Sequence, residues 1–170
     1  MSSLRVLVMG VAGSGKSTLA VSLARELGIP AIEGDEHHSA GSRHKMRRGI
    51  ALQDADRIPW LDTLAAMLAT SGRGAVLACS ALRRDYRDRL RRAVPDLRVV
   101  FLDIDPQAAE ARVAARSSHL FPPSLVRSQF ETLEPPIGER EVLRLDTQLS
   151  SAQQLEAVLR WLDRLAVAAG

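Results

Sequence analysis

Cysteine is nearly absent: Cys79 is the only one in 170 residues, so the chain can form no internal disulfide. That excludes a disulfide-stapled scaffold and is compatible with a reducing compartment. Long apolar runs are missing too. No stretch approaches the roughly 18 apolar residues of a membrane span. The first nine residues hold one Arg and an apolar run too short for a secretory leader. A cytoplasmic protein is the expectation. Internal repeats, low-complexity linkers and recognised nucleic-acid motifs are also lacking, so nucleic acid is not the expected main partner.

The composition that remains is ordinary: 46% apolar and 25% charged residues, with a net charge of +3 in which Arg far outnumbers Lys. Such a chain can fold as one globular domain without a metal staple. Its basic balance suits small anions such as nucleotides and carboxylates as well as nucleic acid. The Arg residues are spread along the chain rather than gathered in a tail.

Strand and helix signals alternate. Arg5 to Met9 reads as a buried strand, and Lys16 to Leu27 as a helix closed by Gly28. Ala31-Ile32 is a short strand ending at Glu33-Gly34-Asp35. Helices are expected over Glu36 to Arg48 and Asp56 to Thr70. A strand over Gly74 to Cys79 and a basic helix from Arg83 to Ala93 follow. Next come a strand over Val99 to Leu102 and a helix from Asp105-Pro106 to about Arg116. Ser117 to Pro123 is a break, and Ser124 is the expected cap of a helix to about Leu133. The chain closes with a strand over Val142 to Leu145 and a helix from Ser150 or Ser151 to Ala168. The pattern predicts an α/β fold with a parallel sheet covered on both faces.

Gly10-Val11-Ala12-Gly13-Ser14-Gly15-Lys16-Ser17, followed by Thr18, matches G-x-x-x-x-G-K-[ST] in full. Phosphates need many backbone N–H donors at close range, and small residues let the main chain wrap tightly. The helix that begins here aims its positive end at the anion. Lys16 supplies a point charge to the outer phosphates, and the Ser17 hydroxyl is placed for magnesium. Chance would produce the four fixed positions in roughly half a per cent of chains this long. Here they also stand between a strand and a helix, as the motif requires. A nucleoside triphosphate and Mg2+ are the expected ligands.

Glu33-Gly34-Asp35 falls at the carboxyl end of a strand, the ligand edge of an open α/β sheet. Glu33 and Asp35 are metal candidates. Asp35 is also a candidate to align or deprotonate an acceptor hydroxyl. An ordinary acidic turn is the alternative.

Several segments, in order, resemble the gluconokinase family. They are Gly34-Asp35-x-x-His38, Lys45-Met46-x-x-Gly49 and Leu52-x-Asp54-x-Asp56-Arg57-x-Pro59-Trp60-Leu61, then Cys79-Ser80-Ala81-Leu82-Arg83-x-x-Tyr86-Arg87. His119-x-Phe121 and Ser128-Gln129-Phe130-x-x-Leu133-Glu134-Pro135 complete them. The resemblance implies a single P-loop kinase domain over residues 1–170. It further implies a five-stranded parallel sheet, a mobile lid near residues 116–123, and transfer of phosphate from ATP to the 6-hydroxyl of gluconate. A homodimer is compatible with it; nucleic acid and membrane partners are not expected. Same-fold kinases for shikimate or a nucleotide, and a non-catalytic nucleotide switch, are the competing readings.

The resemblance also assigns residues. Lys16, Asp35 and Arg116 would be catalytic. Arg112 and Arg116, four apart on one helical face, would reach adenine and the phosphates; otherwise they are two exposed arginines. His38, Arg57, Ser80, Arg83, His119 and Gln129 would join Asp35 in holding the acceptor. Arg57 suits a two-pronged grip on a carboxylate, with a surface or ion-paired arginine as the alternative. His38 is otherwise a capping or exposed histidine, and Ser80 and Arg83 are otherwise a helix cap and a solvated basic face. Cys79 and Trp60 read as core. The chain departs from the family at Ser42, usually Asn, and at Ala51, usually Pro. Its lid reads Arg116-Ser-Ser-His119-Leu-Phe121-Pro122 and lacks the usual lysine. These departures concern acceptor contacts, not phosphate chemistry.

Overall fold

The computed structural model describes residues 3–116 and 121–170. The expected lid is largely outside them, as is His119.

Five strands and seven helices alternate among these residues. They are β1 (Arg5–Met9), α1 (Lys16–Leu27), β2 (Ala31–Glu33), α2 (Ala40–Arg47), α3 (Asp54–Thr70), β3 (Ala75–Ala78) and α4 (Arg84–Ala93). Then follow β4 (Arg98–Asp103), α5 (Pro106–Ala115), α6 (Ser124–Thr132), β5 (Val142–Asp146) and α7 (Ser151–Ala168). The strands form one parallel sheet in the order β2-β3-β1-β4-β5. β1 is central, so its unbroken apolar run is explained: Val6 to Met9 are fully buried and both faces are covered. Leu7 and Met9 pack with Leu61, Leu64 and Leu90 from α3 and α4. Val6 and Val8 pack on the opposite face with Leu19, Leu23 and Trp161 from α1 and α7. A third apolar cluster joins Val11 and Ala12 to Leu82, Ala109, Val113 and Val126, so the loop after β1 rests on α5 and α6.

Local chemistry shifts three expected boundaries. The helix predicted over Glu36 to Arg48 is two pieces, a 3-10 turn over Gly34–His37 and then α2. Glu33 accepts from the Asp35 N–H at 3.4 Å and starts the turn, while the Ser39 hydroxyl accepts from the Ser42 N–H at 3.0 Å and starts α2. Gly34 is required in the turn, because a Cβ there would stand 2.5 Å from the Ala78 carbonyl oxygen. α3 begins earlier than predicted, since the Asp56 carboxylate accepts from the Gln53 N–H at 3.0 Å and caps the helix from within. Ser124 is the first residue of α6 rather than its cap, with Pro123 before it and no side-chain cap bond.

One buried charge cluster fixes the loop that follows β3. Arg87 is fully buried and bonds to Glu139 at 2.6 Å, to the carbonyls of Ala81 and Leu82 at 2.8 and 3.1 Å, and to the Glu134 carbonyl at 2.8 Å. Ala81 sits at φ 44°, an uncommon conformation for a residue with a Cβ, and Arg87 holds it there. Burial pushes the Glu139 carboxyl up; its bonds to Arg87 and Arg91 outweigh this, and the net direction is down. A depressed carboxyl stabilises the fold above its unfolded pKa and loses that contribution as pH falls through the folded value. Acid destabilisation through this group therefore sets in below the ordinary value of 4.5.

Arg87→Leu would leave Glu139 with Arg91 alone and the carbonyls of Ala81 and Glu134 without a donor, so unfolding in urea should show a loss of about 3–5 kcal/mol. A loss under about 1 kcal/mol, the value of an exposed pair, would show that the cluster holds little together.

Candidate active site

The parallel register brings the carboxyl ends of β1, β2 and β3 to one edge of the sheet, and one pocket opens there. It is lined by Lys16, Asp35, His38, Arg57, Ser80, Arg116 and Gln129 among others. These seven come from widely separated segments, and all were candidates on the sequence.

The phosphate loop forms the floor. Gly13 has φ 82°, and a Cβ on it would lie 2.8 Å from the Ala109 carbonyl oxygen. Gly15 caps α1 in a left-handed conformation without a side-chain bond, so the first-turn amides remain open to an anion. Lys16 is 8% exposed and joins no ion pair among the described residues. Burying an unpaired ammonium is costly, so the arrangement calls for an anion. Ser14 is buried, and its hydroxyl has no partner among the described residues. Ser17 is half-buried and Thr18 is exposed beside the loop. The side-chain oxygen of Gln129 accepts from the Ala12 N–H at 2.6 Å and ties α6 to the loop.

A second recess beside the loop is lined by Ser14, Thr18, Arg112 and Thr147. Arg112 is pinned across it, donating to the carbonyls of Gly13 and Thr147, each at 3.3 Å. A planar guanidinium held at two points offers a flat face to a base.

Asp35 is carried by the 3-10 turn. Burial would push its carboxyl up; the contact with His38 and the charges of Lys16 and Arg116 outweigh this, so the group is held below its ordinary value. His38 Nε2 lies 3.8 Å from Asp35 Oδ1, too far for a hydrogen bond but close for charge. The His38 ring stacks on Trp60 with centroids 4.2 Å apart, and the Trp60 indole N–H donates to the Gly34 carbonyl at 2.8 Å. Trp60 is thus both buried core and the support of the turn that presents Asp35 and His38. Glu33 does not line the pocket: its carboxylate is turned back onto the Asp35 N–H.

Arg57 lines the pocket from α3 and joins no ion pair among the described residues. Arg83 stands apart from the pocket, with Asp54, Asp85 and Glu134 at 3.5, 3.0 and 3.8 Å. Cys79 is buried and its thiol is pushed up to about 12 by burial, as befits core rather than nucleophile.

Tyr86, Asp54 and the tie from Gln129 to the phosphate loop carry no separate signal in the sequence. Tyr86 and Asp54 lie inside motif segments, but their contacts cross between α3 and α4. Spacing along the chain does not show such contacts. No group of three or more His, Cys, Asp or Glu able to hold a metal occurs among the described residues. No described helix is long and apolar enough to cross a membrane.

The AAA domain family model matches residues 6–136. A gluconokinase of Gluconobacter oxydans (strain 621H) is 41% identical over 160 residues, spanning 91% of this chain and 89% of that one. A probable gluconokinase of Mus musculus is 38% identical over 174 residues, spanning 91% and 95%. The crystal structure of a gluconokinase from Sinorhizobium meliloti 1021, 41% identical, superposes with a TM-score of 0.89 and covers 98% of this chain and 95% of its own. The range of the family model takes in the phosphate loop, the Asp35 turn and α3. Identity of 38–41% over 91% of the chain reaches past a shared fold, and the chain belongs to the gluconokinase family.

Proposed function

We propose that the protein is an ATP-dependent kinase that phosphorylates gluconate on its 6-hydroxyl, with residues 1–170 acting as one kinase unit. One observation carries the reading. A single pocket holds three cations that pair with no carboxylate among the described residues, Lys16, Arg57 and Arg116, together with the ionised Asp35. These unmet charges suit two anions, a triphosphate for Lys16 and Arg116 and a carboxylate for Arg57 on α3. The names of the relatives supply the specific acceptor.

In this reading the loop amides, Lys16 and Arg116 hold the phosphates and meet the charge that spreads over the transferred group. Asp35 orients the acceptor hydroxyl and takes its proton as the oxygen attacks in line. His38, Ser80 and Gln129 border the acceptor. Arg83, outside the pocket, is left to structural pairing, and Arg112 faces the base. The donor set fits magnesium, which with few protein ligands keeps waters and binds mainly through substrate phosphates. Ser17 and Asp35 would hold it, and Glu33 would act through Asp35. Once bound, the ion would add neutralising charge at the phosphates.

The acceptor reading is tested by Arg57→Lys, which keeps the charge but removes the planar fork. KM for gluconate should rise by about tenfold or more while KM for ATP stays within about twofold. Equal shifts in both constants would make Arg57 a scaffold residue.

A further inference from the structure

Tyr86, on the first turn of α4, is 4% exposed and sits between two arginines. The guanidinium carbon of Arg57 is 5.8 Å from its ring centroid and that of Arg83 is 5.3 Å away. The Tyr86 hydroxyl donates to Asp54 Oδ1 and accepts from Arg57 Nη1 at 3.3 Å. A phenol has one proton. With that proton given to Asp54, only oxygen lone pairs face Arg57, and the contact has a fixed sense. Burial, and then the bond to Asp54, push the phenol pKa up, so the hydroxyl keeps its proton. The two flanking arginines are unequal. Arg83 has Asp54, Asp85 and Glu134 close by, whereas Arg57 has no ion pair among the described residues and is the one that lines the pocket.

We propose that Tyr86, oriented by Asp54, is a positioning residue that sets the Arg57 fork for an acceptor carboxylate and so tunes the preference for acid over neutral polyol acceptors. The inference rests on the proposed role of Arg57. The remaining N–H groups of Arg57 are left to face the pocket, and a bidentate grip depends on the plane in which they are held. A tyrosine serving only as core would need no hydroxyl, because its ring alone fills the space between α3 and α4.

Tyr86→Phe removes the hydroxyl and keeps the ring. KM for gluconate should rise about five- to twentyfold, the range expected for losing one bond to a charged group. KM for ATP and kcat at saturation should stay within about twofold, and the melting temperature should barely move. The inhibition constant of a neutral six-carbon polyol competing with gluconate should be unchanged. Asp54→Asn keeps an acceptor for the phenol and should show a smaller effect of the same kind. The inference is overturned if Tyr86→Phe leaves KM for gluconate unchanged while Arg57→Lys raises it; the reading of Arg57 then survives alone. It is also overturned if Tyr86→Phe weakens gluconate, ATP and the neutral polyol alike, since that is loss of packing. If Arg57→Lys itself leaves gluconate unaffected, the Arg57 reading fails and this inference falls with it.

Discussion

Lys16→Ala lowers the turnover of a folded enzyme by roughly a hundredfold to a thousandfold or more, the range for losing one charge contact made in the transition state. The geometry makes this the most damaging single change in the phosphate loop. Lys16 is 8% exposed and pairs with no carboxylate among the described residues, so its charge is held for a ligand. Stability should not fall with activity. Removing an unpaired, nearly buried ammonium relieves a desolvation cost, so the melting temperature is expected to hold or rise. Steady-state kinetics and thermal unfolding on the same preparation check both halves. Near-normal turnover would remove Lys16 from the chemistry, and unfolding would show that its role is structural.

Asp35→Asn separates acceptor chemistry from nucleotide binding. The amide is nearly isosteric, and the loop backbone, Lys16 and Ser17 are untouched, so affinity for a non-hydrolysable triphosphate should stay within a few-fold. Gluconate-dependent ADP release should fall by about a hundredfold or more, because an amide cannot take the hydroxyl proton. The environment supports an ionised base: Asp35 is held below its ordinary value against the effect of burial, through His38, Lys16 and Arg116. Asp35 is also a magnesium candidate, and a titration divides the two roles. If saturating magnesium restores full activity to Asp35→Asn, the carboxylate serves the metal; if activity stays low, it serves the acceptor.

Most of the fold was legible because each strand is a short apolar run and each helix begins at a local signal. The phosphate loop was legible for the same reason, since all of its donors come from consecutive residues. The errors fall where side chains choose between two starts. Glu33 and Ser39 each begin a separate turn, where the polar pattern predicts one continuous helix. Arg83 and Arg57 both lie in motif segments, and nothing in their spacing separates them. Carboxylates from α3, α4 and the Glu134 loop occupy Arg83 and leave Arg57 open to the pocket. The buried Arg87 cluster shows the same limit: its partners lie 47 to 52 residues away or in the turn just before α4.

The central claim is that the Lys16 end of the pocket takes a triphosphate and the Arg57 end takes a sugar acid. An ADP-release assay with ATP and magnesium tests it most directly, run against gluconate, shikimate, a neutral polyol and a nucleoside monophosphate, with the phosphorylated product located by NMR. The account predicts turnover with gluconate far above the others and phosphate on the 6-oxygen. Equal or greater turnover with shikimate or the monophosphate, or no acceptor-dependent release at all, would contradict it.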